Sequence, residues 1–460
     1  MGRPGIGFLL RVGAFAAGIV VVGGFGVSGP GLGDDTKPKA KATDTGDEAL
    51  KAELLKFNRP TSEDVQRTKL LAFVKDKDRA KKGIALAAKL QKAAKGTDKP
   101  FNLNGALVLA KAAHFLKEYS AAEYFYEYST ETAGKLESGE KLLQAYDGLI
   151  DLYWDQKKFQ DVIDVCERFV ELKGPDEVDK VKPFILERLV QAKARQGNTD
   201  DALRITESLI QLDEGGWYFT KLKGWVQREA GKLDEAIETY LEVLSKVDSA
   251  KRIPRDQRDR IKDSVRYALS GLYVDNNEID KAAKQLEMLI KRDEENPTYQ
   301  NDLGFILADH DMRLDEAEKL IRNALELDKK RQEKLLEEGK IDEVKETAAY
   351  IDSMGWVLFK QKKYKEALPY LEKACADEEE GIHLEIWDHL GDVYQALGQK
   401  KNATDAWQKG LTMEDVSKRD IERRKKVIAK LKAAGVEPKV KEPPSTEPEK
   451  KTPPKKKIID

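Results

Sequence analysis

From Thr61 onward, apolar residues recur three and four positions apart, the spacing that lines one face of an α-helix. Leu70, Leu71, Phe73 and Val74 form one stripe, and Ile84, Ala87, Leu90 and Ala93 form the next. The stripes come in pairs separated by short polar turns such as Gln196-Gly197-Asn198, Ala230-Gly231-Lys232 and Leu397-Gly398-Gln399. Small residues fall where the two helices of a pair would cross: Gly224 and Ala236, Gly304 and Ala317, Gly355 and Ala367, Gly391 and Ala403. Antiparallel helices on a short turn interdigitate only where the contact points lack bulk. Larger residues, among them Tyr240, Leu307, Leu358, Leu371 and Trp407, are left to fill the remaining holes.

The segment Leu384–Gly410 states the pattern most fully. Trp387, Leu390, Gly391, Tyr394, Ala403 and Trp407 match W-x2-L-G-x2-Y…A-x3-F, a helix–turn–helix unit of 34 residues. The chain therefore resembles the tetratricopeptide repeat (TPR) family. Pro183–Gly216 and Trp217–Ala250 abut in the same frame, Asp263–Asn296 follows, and Pro297 opens another unit. Leu103–Leu136 and Leu143–Asp176 fit more weakly. Lys251–Lys262 and Gln332–Thr347 are charged inserts; Pro254 is placed to open a lengthened helix, and Gln332–Thr347 to extend one or add a hairpin. The resemblance implies an all-α, right-handed solenoid of about eight helix pairs, since a single pair cannot bury its apolar face alone.

The organisation expected is a leader or anchor at 1–33 and a linker at 34–60. A helical cap or degenerate repeat at 61–102 leads into the TPR array at 103–417. A capping helix at 418–435 and a disordered Pro/Lys/Glu tail at 436–460 close the chain. Ser417-Lys418-Arg419-Asp420 has the form of a capping box, and the helix behind it offers Ile421, Val427, Ile428 and Leu431 as its apolar face. Arg3 and Arg11 precede an uncharged, Gly-rich stretch from Val12 to Gly33, whose apolar heart is Val12–Val27. This reads as a secretory signal, or as an uncleaved tether through residues 12–33, and in either case predicts an exported protein, periplasmic or membrane-anchored.

Composition narrows the function. Of 460 residues, 40% are hydrophobic and 36% charged, which suits helices with one buried and one wet face. A net charge of -2 supplies no basic field for nucleic acid. The two cysteines, Cys166 and Cys375, exclude a disulfide scaffold. His383 and His389 stand six apart, roughly 120° around a helix, and no metal site is expected there. No P-loop, G-x-G-x-x-G, H-E-x-x-H or G-x-S-x-G motif occurs, so no catalytic group and no cofactor are expected.

The resemblance points instead to a groove lined by the first helices at motif positions 2, 5, 9 and 12. These positions hold Gln144, Asp147, Asp151 and Trp154, then Tyr218, Lys221, Trp225 and Arg228. Further on they hold Asn301 and Phe305, Asp352 and Trp356, and Asp388 and Asp392. Aromatics beside polar groups are the usual make-up of a binding hot spot. Packing between neighbouring first helices is the competing role for Trp225, Trp356 and Phe305. The expectation is a non-catalytic scaffold or assembly factor, a monomer or self-associating through an unsealed end of the array, holding a peptide or a partner's helix. An accessory subunit of an envelope enzyme or polysaccharide-handling system, with catalysis in a partner, is the alternative.

Overall fold

The computed structural model describes residues 42–440 apart from 95–98, 137, 174–175, 215, 251–252, 378–380 and 414–417. The leader at 1–33, the start of the linker, Ser417 of the capping box and the tail beyond 440 lie outside the described residues. Those residues hold twenty α-helices, one 3-10 turn and no strand. The fold of the described residues is all-α and divides into two units, residues 42–276 and 277–440, each built of helix pairs stacked in sequence.

The N-terminal unit contains α1 (Ala42–Leu54), α2 (Glu63–Val74), α3 (Lys77–Ala93), α4 (Leu103–Phe115), α5 (Tyr119–Lys135) and α6 (Gly139–Asp155). It continues with α7 (Phe159–Val170), α8 (Asp176–Arg195), α9 (Thr199–Leu212), α10 (Trp217–Glu229), α11 (Leu233–Ser249) and α12 (Arg255–Asp275). Of the stretch expected to be linker at 34–60, the described residues 42–58 are helical. Leu50, Leu54 and Phe57 are buried, and Phe57 meets the edge of Phe73 at 5.5 Å. These three apolar residues are diluted among charges, which hides their period. Gln91 then ties the first helices to the repeats, donating to the Phe101 carbonyl and accepting from the Phe101 amide, both at 2.9 Å.

Pro183 does not open its helix. Helix α8 begins at Asp176 and carries the proline in its interior. Burial of Val178 and the packing of Val181 on the core hold the extra turns, offsetting the hydrogen bond that proline removes. Helix α12 does start behind Pro254.

The C-terminal unit contains α13 (Ile279–Ile290), α14 (Pro297–Asp309), α15 (Leu314–Glu337), α16 (Ala348–Lys360), α17 (Tyr364–Ala376), α18 (Leu384–Ala396), α19 (Lys400–Gly410) and α20 (Lys418–Ala433). Asn296 caps α14, accepting from the Thr298 amide at 3.1 Å, with Pro297 in the first turn. The charged insert lengthens α15 as far as Glu337, where Gly339 (φ +65°) turns the chain. The crossing points are as tight as the small residues require. A Cβ on Gly304 would stand 2.6 Å from Ile321 Cγ1, and one on Gly355 would stand 2.5 Å from Leu371 Cγ.

Within each unit the first helices of successive pairs touch one another: α4, α6, α8 and α10 in one, α14, α16 and α18 in the other. The second helices α5, α7, α9 and α11 make no comparable contact. The first helices therefore form the inner face of each unit.

Candidate functional site

In the N-terminal unit the inner face carries a partly buried acidic strip beside half-buried aromatics. Asp147 and Asp151 are one turn apart on α6, and Asp155 follows one turn later. Burial, then the neighbouring Asp151 charge, pushes the Asp147 carboxyl up to about 6, against the pull of Arg188 and Lys111. Burial likewise raises Asp151, which Arg188 opposes through a direct ion pair. Asp155 accepts from or pairs with His114 Nε2 at 2.8 Å. On α8, burial raises Glu187, which accepts a hydrogen bond from the Tyr218 hydroxyl at 2.8 Å.

The cations on this face are engaged from the side. The Arg188 guanidinium lies 5.2 Å from the Trp154 ring centre, and the Arg195 guanidinium 5.5 Å from that of Trp225. Burial lowers Lys221, whose Nζ sits 3.2 Å from Ser264 Oγ. Arg228 pairs with Asp275 at 2.8 Å. Trp154, Tyr218 and Trp225 thus each have a neighbour on an adjacent first helix, and each keeps part of its ring in solvent. Packing and exposure coexist at these positions.

The equivalent positions of the C-terminal unit are closed. Trp356 is only 7% exposed. Its ring stacks on His389 at 3.9 Å and on Phe359 at 4.9 Å, and its indole N–H donates to Asp309 Oδ1 at 3.0 Å. His389 is fully buried, its Nδ1 3.0 and 3.1 Å from the two oxygens of Asp352, itself buried. Burial alone would push the imidazole down; the Asp352 carboxylate outweighs it and holds His389 above its ordinary value. Phe305 leans on the same imidazole at 6.1 Å, and Asn301 is buried, its side-chain oxygen without a hydrogen bond. In this unit packing between first helices takes Trp356 and Asp352 out of an open groove, while Phe305 is half-buried. The cause is His389, which slots between the Trp356 and Phe305 rings.

Asp388 and Asp392 do not face open solvent either. Lys430 of α20 reaches Asp388 Oδ1 at 2.6 Å and both oxygens of Asp392 at 2.6 and 2.7 Å. Arg423 of α20 pairs with Glu385 and lies 3.4 Å from Asp388 Oδ2. The apolar face expected of this helix is narrower than its sequence: Val427 and Leu431 are buried, while Ile421 is 47% exposed. Val427 and Leu431 stand one turn apart, and Ile421 points away from that line.

Sequence reasoning missed Arg188, Arg195, Glu187, Arg423 and Lys430. Arg188, Glu187 and Arg195 belong to α8, outside the groove positions named from the sequence, and Arg423 and Lys430 stand among many other charges of α20 that its apolar period does not distinguish. Among the described residues, no group of His, Cys, Asp and Glu is arranged to hold a metal ion, and no helix is long and apolar enough to cross a membrane.

Comparison with known proteins matches residues 188–251 and 267–331 to one model described as tetratricopeptide repeat, and residues 347–378 to a second of the same description. A TPR repeat-containing protein of Pseudomonas aeruginosa is 30% identical over 162 residues, 33% of this chain. The match spans only 25% of that relative's length. Among solved structures, a tetratricopeptide repeat protein from Parabacteroides merdae has a TM-score of 0.40 at 15% identity, covering 62% of this chain and 99% of its own. The C-terminal part of a TPR repeat-containing protein from Cytophaga hutchinsonii has a TM-score of 0.35 at 15% identity, covering 59% and 97%.

Proposed function

This chain belongs to the tetratricopeptide repeat family, and from that membership we propose that it is a non-catalytic scaffold whose N-terminal unit holds a partner on its inner face. The partner is a peptide or helix carrying cationic side chains. The observation that carries this reading is the strip Asp147, Asp151 and Glu187, three carboxyls raised by burial beside the partly exposed rings of Trp154, Tyr218 and Trp225.

A carboxylate held in a desolvated position is unfavourable for the empty protein. An arriving Lys or Arg adds counter-charge to that of Arg188, and the aromatic rings supply apolar contact of the kind that dominates interface energetics. Arg188 and Lys221 already lie along the strip, so recognition requires cations spaced between them. The second unit does not offer this face, because His389 and α20 fill it.

We further propose that the protein works outside the cytoplasm as a monomer, released by cleavage of its leader or tethered through residues 12–33. A fusion of alkaline phosphatase behind residue 60 reports this directly: activity in intact cells supports export, and its absence refutes it.

The binding proposal is tested by affinity capture from native envelopes with wild type and with a Trp154→Ala/Trp225→Ala variant of unchanged helicity. The wild type retains partners that the variant loses, and the loss deepens with salt. Identical partner sets at every salt concentration would sink the proposal.

A further inference from the structure

Helix α1, the 3-10 turn Leu55–Asn58 and helix α2 precede every residue matched to the repeat models. Helices α1 and α2 each pack on α3 and scarcely touch each other. An open groove of about 730 Å³ lies between them. Phe57 and Phe73, both buried, meet edge to face at its floor, and the exposed Ala49, Ala52 and Ala72 line its walls. Alanine leaves this space open because nothing extends beyond its Cβ. The size falls within the ~300–1,000 Å³ of small-ligand sites.

The unpaired charge at the groove has one sign. Lys56, Arg59 and Lys69 stand at its edge, and among the described residues none of the three side chains is engaged in an ion pair or hydrogen bond. The one acid of the lining, Glu53, is taken up by Arg79 of α3. The same three cations also border a smaller adjoining cavity, bounded by Thr61, Gln66 and Val108. Asn58 fixes the backbone between Lys56 and Arg59, donating to the Pro100 carbonyl at 2.8 Å and accepting from the Asn102 amide at 3.0 Å. Apart from its charged groups the groove lining has no hydrogen-bonding side chain, and the backbone of α1 and α2 is bonded within its own helices. An extended peptide would leave its amides unpaired there, whereas a hydrocarbon chain has none to satisfy.

We propose that this groove binds a single-chain anionic lipid, a long-chain carboxylate, with its chain between α1 and α2 and its head group on Lys56, Arg59 and Lys69. Charge complementarity sets the choice: the carboxylate accepts charge-assisted hydrogen bonds from cations that have no other partner. The hydrocarbon chain covers the alanine walls and the Phe57 and Phe73 ring edges, removing apolar surface from water on both sides. A neutral lipid would gain only the second of these. The site lies outside the repeats, and the proposal is independent of the reading given to the inner face.

The test uses the purified full chain and cis-parinarate, a long-chain carboxylate whose fluorescence rises in apolar surroundings. Wild type is expected to bind it saturably, oleate to displace it, and the methyl ester of parinarate to bind about tenfold more weakly, the loss of one charged contact. A Lys56→Gln/Arg59→Gln/Lys69→Gln variant should lose a similar factor for the acid and none for the ester. An Ala52→Phe/Ala72→Phe variant, which fills the groove from two exposed positions, should bind neither. Equal affinity of wild type for acid and ester, or undiminished binding by the filled variant, would overturn the proposal; the first comparison needs no variant to fold. Displacement of parinarate by an acidic amphipathic peptide where oleate fails would assign the groove to a protein partner. A wild-type dimer in sedimentation that the filled variant does not form would assign it to a second copy. Either result would overturn the assignment to a lipid.

Discussion

Replacing Asp147 with Asn isolates the energetic cost of the acidic strip. The Asp147 carboxyl titrates at about 6 in the folded protein against an ordinary value of 3.8. Burial is the main cause and the Asp151 charge adds to it, while Arg188 and Lys111 act in the opposite sense. A carboxyl raised on folding binds its proton more tightly in the native state than in the unfolded chain. Its contribution to stability is thus fully present below pH 3.8 and is lost as the pH rises through about 6. Two powers of ten in proton affinity amount to roughly 3 kcal/mol. Partial exposure and screening bring the expected cost of the ionised group nearer ~1–2 kcal/mol. Asparagine keeps the shape and removes the charge, and Arg188 keeps Asp151 as its partner. Urea unfolding should therefore give similar free energies for the two proteins near pH 4. At pH 8, Asp147→Asn should be the more stable by ~1–2 kcal/mol at unchanged slope. A variant less stable than wild type at pH 8, or a difference that does not change with pH, would refute the assignment of Asp147 as a desolvated acid. If the strip binds cations, this more stable variant is also the weaker binder.

Three other outcomes follow from the packing and the turns. Gly355→Ala places a methyl group 2.5 Å from Leu371 Cγ and should cost about 1–3 kcal/mol in thermal or urea unfolding; a neutral effect would show that α16 and α17 are not held at this distance. Lys362 occupies the left-handed region (φ +64°) in the turn before α17, so Lys362→Gly should stabilise by about 0.5–1 kcal/mol, and destabilisation would contradict the turn geometry. His389 is held above its ordinary value of 6.5 by Asp352, so the stability it contributes is present below pH 6.5 and lost as the pH rises through its folded value. The advantage of wild type over His389→Gln should accordingly shrink between pH 6 and pH 9, and an advantage that grows over that range would reverse the assigned direction.

The helix pairs were legible because their signals are local. Gly355 and Ala367, or Gly391 and Ala403, mark a crossing within one unit, and the turn glycines Gly197, Gly231 and Gly398 all adopt positive φ. Where the same turn is made by Lys362, Asp311 or Asn277, composition gives no sign of it, although the backbone takes the same left-handed step. Helix α1 was hidden because Leu50, Leu54 and Phe57 gain their meaning only from Phe73 and the helices behind it.

The inner face was legible as a set of positions and not as a set of environments. Trp225 and Trp356 hold the same place in the repeat, and their fates differ. At the facing register of the following first helix, one unit has Ala268 and the other His389, whose imidazole lies flat on the Trp356 ring. The sealing of Trp356 depends on what the neighbouring helix places against it, which the repeat pattern does not record. The ion pairs of Arg423 and Lys430 likewise depend on how α20 lies across α18, which no local period encodes.

Site-specific photo-crosslinking in living cells tests the central claim most directly. A photoreactive residue is placed in turn at Tyr218 and Trp225 on the inner face, and at Leu241, which is 44% exposed on α11. The account predicts one shared crosslinked partner from positions 218 and 225, lost in the Asp147→Asn/Glu187→Gln background, and none from position 241. Crosslinking to the same partner from position 241 alone, or equal yield in the neutralised background, would contradict it.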